Sequence, residues 1–497
     1  MKKALEKALA PKDVRASIAV DLGAESCRVS LLRWEGTRPV ITLVHRFPNA
    51  PRELPEEQGG GLRWDLSMIV HGLEHGLRLC AGLATEGVRS IAVDGWAVDY
   101  VRVDADGAAL ADPFCYRDER TIKAERSLHR KARPERMREL TGIQLMRINT
   151  LYQLHADALA ELPEGQQWLN LPEYILSRWG GARVAEFTNA THTQLVELHK
   201  RQWCREIFSA AQLDMACAPK LVPPGTEVGR LSGPLAELPA FADTVLVAPA
   251  CHDTASAIAG IPAQGNDWAY ISSGTWSLVG TLLEQPRNGH APSAENFTNL
   301  GAVGDRVCFH KNVNGMWLIK QCMEQWASEG TDWNIVDLVA AAEKLPRPHD
   351  LLDVDDPELL LPERMPQRIN AQRVKRGHDP LDESASNAPA FASLIFYSLA
   401  ARYAKVLDRI SLHSGKQFKR LFIVGGASQN LFLNRLTAEA TGLEVFRGAP
   451  ESSTVGNFAV QLAALEGSRD AITGVYAEPV ARWAALMEGA LEAGAKG

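Results

Sequence analysis

Short apolar runs, each ended by glycine, aspartate or proline, recur along the 497-residue chain. Ser17-Ile-Ala-Val-Asp21-Leu-Gly23-Ala-Glu-Ser26, followed by Arg28-Val-Ser-Leu-Leu32, predicts two strands joined through a glycine-containing turn. Ala269-Tyr-Ile-Ser272-Ser273-Gly274-Thr275, followed by Trp276-Ser-Leu-Val-Gly280, predicts the same device half a chain later. Further strands are expected at Ser90–Val93, Thr244–Ala248 and Leu421–Val424, and helices at Ser67–Ala81, Phe391–Leu412 and Leu431–Thr441, the last stopped by Gly442. Strands interleaved with helices predict an α/β protein. The repeated hairpin, in a chain longer than one core fills, predicts two similar domains, residues 14–258 and 259–485, meeting near the turn-rich stretch Ile261–Asn266. Asp350–Ala388, rich in proline and charge, is expected to be a long exposed connection.

Composition narrows the class. With 46% hydrophobic and 23% charged residues the chain is of ordinary globular type, and a net charge of -7 offers no field for a nucleic-acid backbone. The basic stretch Arg117–Arg138 is interrupted by acids and reads as a solvated helix face. Eight cysteines lie singly, which argues against a zinc site or a disulfide framework and suits reduced thiols in the cytoplasm. Met1–Arg15 is too charged for a signal peptide, and no membrane-spanning apolar run is expected.

Several segments carry candidate chemistry. Asp21 ends the first strand, so it could hold Mg²⁺ directly or through water while the turn after it cradles phosphate; an ordinary hairpin needs the same residues. Ser272-Ser273-Gly274-Thr275 offers a second donor-rich turn. Gly425-Gly426 and Asn430 follow a strand and open a helix, permitting close approach of a flat ligand. Neither the dinucleotide nor the P-loop glycine pattern is present. In His252-Asp253-Thr254, Asp253 either accepts a proton from a substrate hydroxyl or caps a helix starting at Thr254. Asp94-Gly95-Trp96-Ala97-Val98-Asp99 and Lys311-Asn312 mix aromatics with polar groups, as sugar sites do. His71 and His75, four apart, read as a helix face because no third metal ligand accompanies them.

Taken in order, these segments resemble the FGGY carbohydrate kinases, rhamnulokinase branch. The resemblance runs through Ala19-Val-Asp21-Leu-Gly-Ala, Trp96-Ala-Val-Asp99, Tyr116-Arg117-Asp118, Asn149–Gln153, Thr188–Leu195, His252–Ala257, Ser272–Leu278, Lys311-Asn312 and Ile423–Asn430. It implies an actin/hexokinase/Hsp70-like (ribonuclease H-like) fold, with ATP, Mg²⁺ and a ketose meeting in an interdomain cleft. It further implies Asp253 as the base, and sugar contacts from His252, Thr254 and Asn312 beside Trp96, Ala97 and Asp99. The ATP positions it implies are Gly23, Ala24, Glu25, Ser26, Cys27, Arg28, Gly274, Thr275, Lys320, Gly425, Gly426 and Asn430. Cys27 stands where that branch has Gly, Gly95 and Ala97 replace Thr and Gly beside Trp96, and Lys320 replaces Gln, with Gln321 next to it. The expected reaction is phosphorylation of a ketose primary hydroxyl by a monomer or homodimer. The rivals are a nucleotide-dependent switch and a sugar-binding regulator without catalysis.

Overall fold

Six strands build the first of two six-stranded sheets in a computed structural model that describes residues 11–163, 165–467 and 477–487. They are β1 Ala16–Leu22, β2 Ser26–Glu35, β3 Arg38–Pro48, β4 Val88–Gly95, β5 Thr226–Arg230 and β6 Val245–Ala248. Their order is β5-β6-β4-β1-β2-β3, with β6, β4 and β1 mutually parallel and the β1-β2-β3 side antiparallel. Every residue of β1 is buried, as a strand covered on both faces demands. The helix α1, Leu66–Leu83, starts on Asp65, whose side chain accepts from Met68 N, and buries Leu66, Ile69, Val70, Leu73, Leu77 and Cys80 at helical spacing. Two short helices follow, α2 Phe187–His192 and α3 Asp253–Ala259.

The second sheet repeats the plan with β7 Trp268–Ser273, β8 Trp276–Leu283, β9 Val307–Asn314, β10 Arg420–Val424 and β11 Glu444–Arg447. The order β9-β8-β7-β10-β11 matches β3-β2-β1-β4-β6, with an antiparallel hairpin beside two parallel additions, while Thr298–Gly301 adds a sixth strand beyond β9 where the first sheet instead adds β5 beyond β6. Helices beside it include α4 Trp317–Ser328, α5 Met365–Lys375, α6 Ala388–Ser414 and α7 Leu431–Thr441, the last closed by Gly442 at φ 66. The final helix used below is α8, Ser452–Glu466.

The chain divides into two compact units, one of residues up to Gln264, Leu282–Cys308 and those from Ser452 onward, the other of Gly265–Thr281 and Phe309–Glu451. Helix α8 thus packs with the first unit although it follows the second in sequence. It does so at very close range, since a Cβ on Gly456 would lie 1.7 Å from the backbone oxygen of Ser256 in α3.

Two expectations change. Asp350–Ala388 contains α5, whose Met365 and Ile369 are fully buried, while Arg373 pairs with Asp350 at 2.8 Å with both side chains mostly covered. The charges that suggest exposure satisfy one another there. The stretch Ala385–Ser414, with mean hydropathy 1.2, is long and apolar enough to cross a membrane, but 67% of that window is buried within the protein, as in a core helix. None of the eight cysteines, all among the described residues, forms a disulfide. Residues 1–10, part of the stretch read against a signal peptide, lie outside the described residues.

Candidate active site

The parallel strands of the first unit end together, and the carboxylates expected to do chemistry sit at those ends. Asp21 of β1 and Asp94 of β4 are direct register partners. Gly95 N donates to Cys251 O at 2.9 Å, and Gly95 bridges to His252, so the segment leaving β6 reaches the same edge. Carboxyl ends of adjacent parallel strands are where open α/β sheets place their ligands. Gly95 is required by this crowding, because a Cβ there would fall 2.6 Å from Leu22 Cβ.

Asp253 is the first residue of α3, and His252 holds the preceding cap position without a side-chain cap bond. Asp253 is therefore not a cap for a helix starting at Thr254. Thr254 Oγ1 donates to Asp253 Oδ1 at 3.1 Å, and His252 Nε2 lies 3.3 Å from the same oxygen. The side chain keeps 36% exposure, against 7% for His252. Removal of much of its water, and then the neighbouring Asp21, push the Asp253 carboxyl up to about 7, opposed by Thr254 and Arg28. Asp253 is thus a carboxyl group poised near neutrality.

Arg28 Nη1 donates to Asp21 Oδ2 at 3.0 Å, and Ser453 Oγ of α8 donates to the same oxygen at 2.7 Å. Asp94 is fully buried; burial, then Asp21, hold its carboxyl well above the usual range, and Asn457 Nδ2 donates to its Oδ2 at 3.0 Å. One turn further on, Gln461 accepts from Ser90 Oγ at 2.7 Å and donates to Ile18 O at 3.0 Å. Half-buried Ser453 and fully buried Asn457 and Gln461, spaced by four, form a polar stripe that serves the strand ends. That spacing inside Ser452–Glu466 was the available signal for them.

The turn after Asp21 is tight, with Gly23 O accepting from Asn49 Nδ2 at 3.0 Å and a Cβ on Gly23 meeting Ser26 O at 2.4 Å. Ala24 is half-buried and Glu25 exposed, whereas Ser26 and Cys27 are buried. Burial pushes the Cys27 thiol up to about 12, so it stays neutral.

Trp96 and Ala97 are nearly covered, at 7% and 8% exposure, and Trp96 packs on Trp64 with ring centroids 4.6 Å apart. Asp99 has no exposed surface. Its carboxylate accepts from Trp64 Nε1 (2.6 Å), Trp96 Nε1 (3.0 Å), Gln153 Nε2 (2.9 Å) and Tyr116 N (3.2 Å). Asp99 thus reaches a ligand only through the two indoles it orients; Trp64 was not singled out in the sequence. Between them Val98 sits at φ 73, a conformation that disfavours β-branched side chains, with its carbonyl held by Thr150 Oγ1 (2.7 Å) and Gln153 Nε2 (3.3 Å).

In the second unit, Gly274 and Thr275 are exposed at the β7–β8 turn, where Ser273 Oγ bonds Ser277 Oγ at 3.0 Å and Ser277 bonds Tyr403 at 2.7 Å. Met316 N and Trp317 N, opening α4, donate to Gly274 O and Thr275 O at 3.1 Å each. Gly425 has φ 84 and approaches Ser273 O so closely that a Cβ would lie 2.7 Å away, while Gly426 faces open space. Asn430 caps α7, its Oδ1 accepting from Leu433 N. Asn312 is half-buried on β9. Lys320 keeps 44% exposure with Nζ 4.0 Å from Glu324, whereas Gln321 is buried and accepts from Glu363 N at 2.9 Å. Of the two neighbours only Lys320 is open to a ligand.

No group of three or more His, Cys, Asp or Glu side chains is arranged to hold a metal among the described residues. His75 instead packs its ring on His45 at 4.9 Å.

Residues 16–260 match the N-terminal domain, and residues 269–465 the C-terminal domain, of the FGGY family of carbohydrate kinases. The chain is 34% identical over 464 residues to a rhamnulokinase of Enterococcus faecalis (strain ATCC 700802 / V583), covering 92% of this chain and 90% of that one. Among solved structures, xylulose kinase from Rhodospirillum rubrum superposes with TM-score 0.73 at 16% identity, covering 94% of this chain and 92% of that one. Ligand-bound xylulose kinase from Lactobacillus acidophilus gives 0.71 at 15%, over 95% and 96%. Plasmodium falciparum glycerol kinase with ADP gives 0.69 at 12%, over 94% and 92%. These likenesses establish the two-domain α/β sugar-kinase fold, and with both family domains matched and a rhamnulokinase relative along nearly its whole length, the chain belongs to the FGGY family of carbohydrate kinases.

Proposed function

We propose that this carbohydrate kinase transfers the γ-phosphoryl group of ATP to a ketose primary hydroxyl, L-rhamnulose to L-rhamnulose 1-phosphate or the equivalent step on a related deoxyketose. The observation that carries the reading is Asp253, a partly open carboxylate at a strand-end edge, flanked by His252 and Thr254 and poised near pH 7. Both neighbours engage Oδ1, so the substrate proton is assigned to Oδ2. As the hydroxyl oxygen bonds to the γ-phosphorus, the bridging bond to the β-phosphate breaks, the proton passes to Asp253 and ADP leaves.

Residues 14–258 carry the sugar side in this reading and 259–485 the ATP side. His252, Thr254, Asn312 and the Trp96–Ala97 segment contact the ketose, with Asp99 fixing Trp96. The turns at Gly23–Arg28 and Gly274–Thr275, with Lys320, Gly425, Gly426 and Asn430, hold the nucleotide. Open space at Gly426 suits a flat base, and Asn430 acts there by setting the helix that follows.

The donor set at the end of β1 fits Mg²⁺. The influence of Asp21 on both Asp94 and Asp253 brings carboxyl oxygens together at that edge, and the charged and hydroxyl donors on Asp21 both lie on Oδ2. Asp21 would hold the ion, which when bound offsets charge on the phosphate oxygens. The kinase assignment favours turnover over a switch or a silent regulator. The deciding experiment is a coupled ADP-release screen over ketoses, polyols and aldoses. Preference for a deoxyketose is expected; release indifferent to every ketose would end the reading.

A further inference from the structure

His192, the last residue of α2, is used by nothing described so far. Its ring meets that of His252 at a tilt, with centroids 4.0 Å apart and planes at 60°. His252 in turn has Nε2 3.3 Å from Asp253 Oδ1. The contact is fixed from behind. Glu186, immediately before α2, accepts from Thr188 N (2.9 Å), Thr188 Oγ1 (2.5 Å) and Cys251 N (2.8 Å). Thr188 Oγ1 also accepts from His252 N at 3.4 Å. At the other end of α2, Thr191 Oγ1 accepts from Gly301 N at 3.0 Å. The helix bearing one imidazole is therefore tied to the backbone bearing the other, so their relative position is over-determined. Paired aromatic rings prefer such tilted geometry. With one face occupied by His192, His252 has a restricted set of orientations in which to present its nitrogens beside the base.

We propose that His192 is a positioning residue that sets ketose selectivity, by fixing the orientation of His252 beside Asp253. This rests on the reading of Asp253 as the base of a ketose kinase. Losing the ring frees His252, loosening the sugar's hydroxyls relative to the base while leaving the nucleotide untouched.

The test compares wild type, His192→Ala and His192→Phe in steady-state kinetics with L-rhamnulose and L-fuculose, two ketoses that differ at one hydroxyl. His192→Ala should raise the ketose KM about 10-fold and shift the preference between the two sugars by a similar factor. KM for ATP should stay within about 2-fold, and His192→Phe, which keeps the ring, should recover the ketose KM to within about 3-fold. If His192→Ala does not fold, His192→Leu supplies the ring-free comparison. A ring-free variant with wild-type ketose KM and preference overturns the proposal, as does a parallel rise in KM for ATP or failure of His192→Phe to recover. Wild-type protein without ketose-dependent ADP release would instead defeat the kinase reading. In that case crystal structures of the variants decide: a displaced His252 ring in His192→Ala but not in His192→Phe supports positioning, and an unmoved ring in both overturns it.

Discussion

Asn457 on α8 donates its side-chain amide to the fully buried Asp94 of β4 at 3.0 Å, tying the polar stripe of one helix to the carboxylate edge of the sheet. Removing the amide leaves a buried carboxyl without its donor, which costs about 1–3 kcal/mol. Asn457→Ala should therefore lower the denaturation midpoint and reduce kcat, since Ser453 on the same helix donates to Asp21. Urea titration alongside turnover measures both.

Asp253 gives a sharper test. With its carboxyl pushed up to about 7, the ionised base fills in as pH rises, so kcat/KM for the ketose should climb through pH 7 with unit slope and level off above it. Asp253→Asn should keep nucleotide binding, lower kcat by roughly 10² to 10⁴-fold and abolish that acid limb. Turnover within a few-fold of wild type would remove Asp253 from the role.

The glycine pair after β10 separates folding from binding. Gly425→Ala must place a Cβ at φ 84 and 2.7 Å from Ser273 O, so it should destabilise the second unit by about 1–3 kcal/mol. Gly426→Ala meets nothing within 4 Å and should melt like wild type while weakening ATP binding, read by calorimetry. Equal melting of both variants would contradict the contrast.

Glu173 and Glu186 are buried together, and desolvation pushes them from the ordinary 4.5 to about 8 and about 7, Glu186 also raising Glu173. A folded value above the unfolded one means the stability these groups contribute is complete below pH 4.5 and is lost as pH rises through 7 to 8. Glu173→Gln should flatten that loss, gaining on the order of 1–3 kcal/mol relative to wild type at pH 9 and little at pH 5. The substitution can be accommodated, because Asn189 Oδ1 has no hydrogen-bond partner and, after an amide flip, Asn189 can still pair with the new side chain. Melting curves at the two pH values check the sign.

Local features were the legible ones. The two hairpins stand out because β1 and β7 are mostly apolar and each turn needs a glycine or short polar residues, and the end of α7 is written in Gly442. The strand-end carboxylate Asp21 and the trio at Asp253 were also readable, since aspartates after apolar runs are unusual in a core. What could not be read depends on distant partners. Arg120 looks like part of a solvated basic face, yet it pairs with Asp157 and lies over the Phe114 ring at 3.8 Å. Trp64 and Trp96 meet on Asp99 from 35 and 3 residues away. The return of α8 to the first unit has no local signal, because its apolar pattern would serve any core.

Val98 carries an implication for how this pocket can change. A β-branched residue held at positive φ by Thr150 and Gln153 is under load, so the indole segment beside it leans on its neighbours rather than on its own preference. Attempts to retune sugar choice at Ala97 will draw on the same scaffold and will fail by misfolding before they fail by chemistry, unless position 98 is first relaxed to glycine.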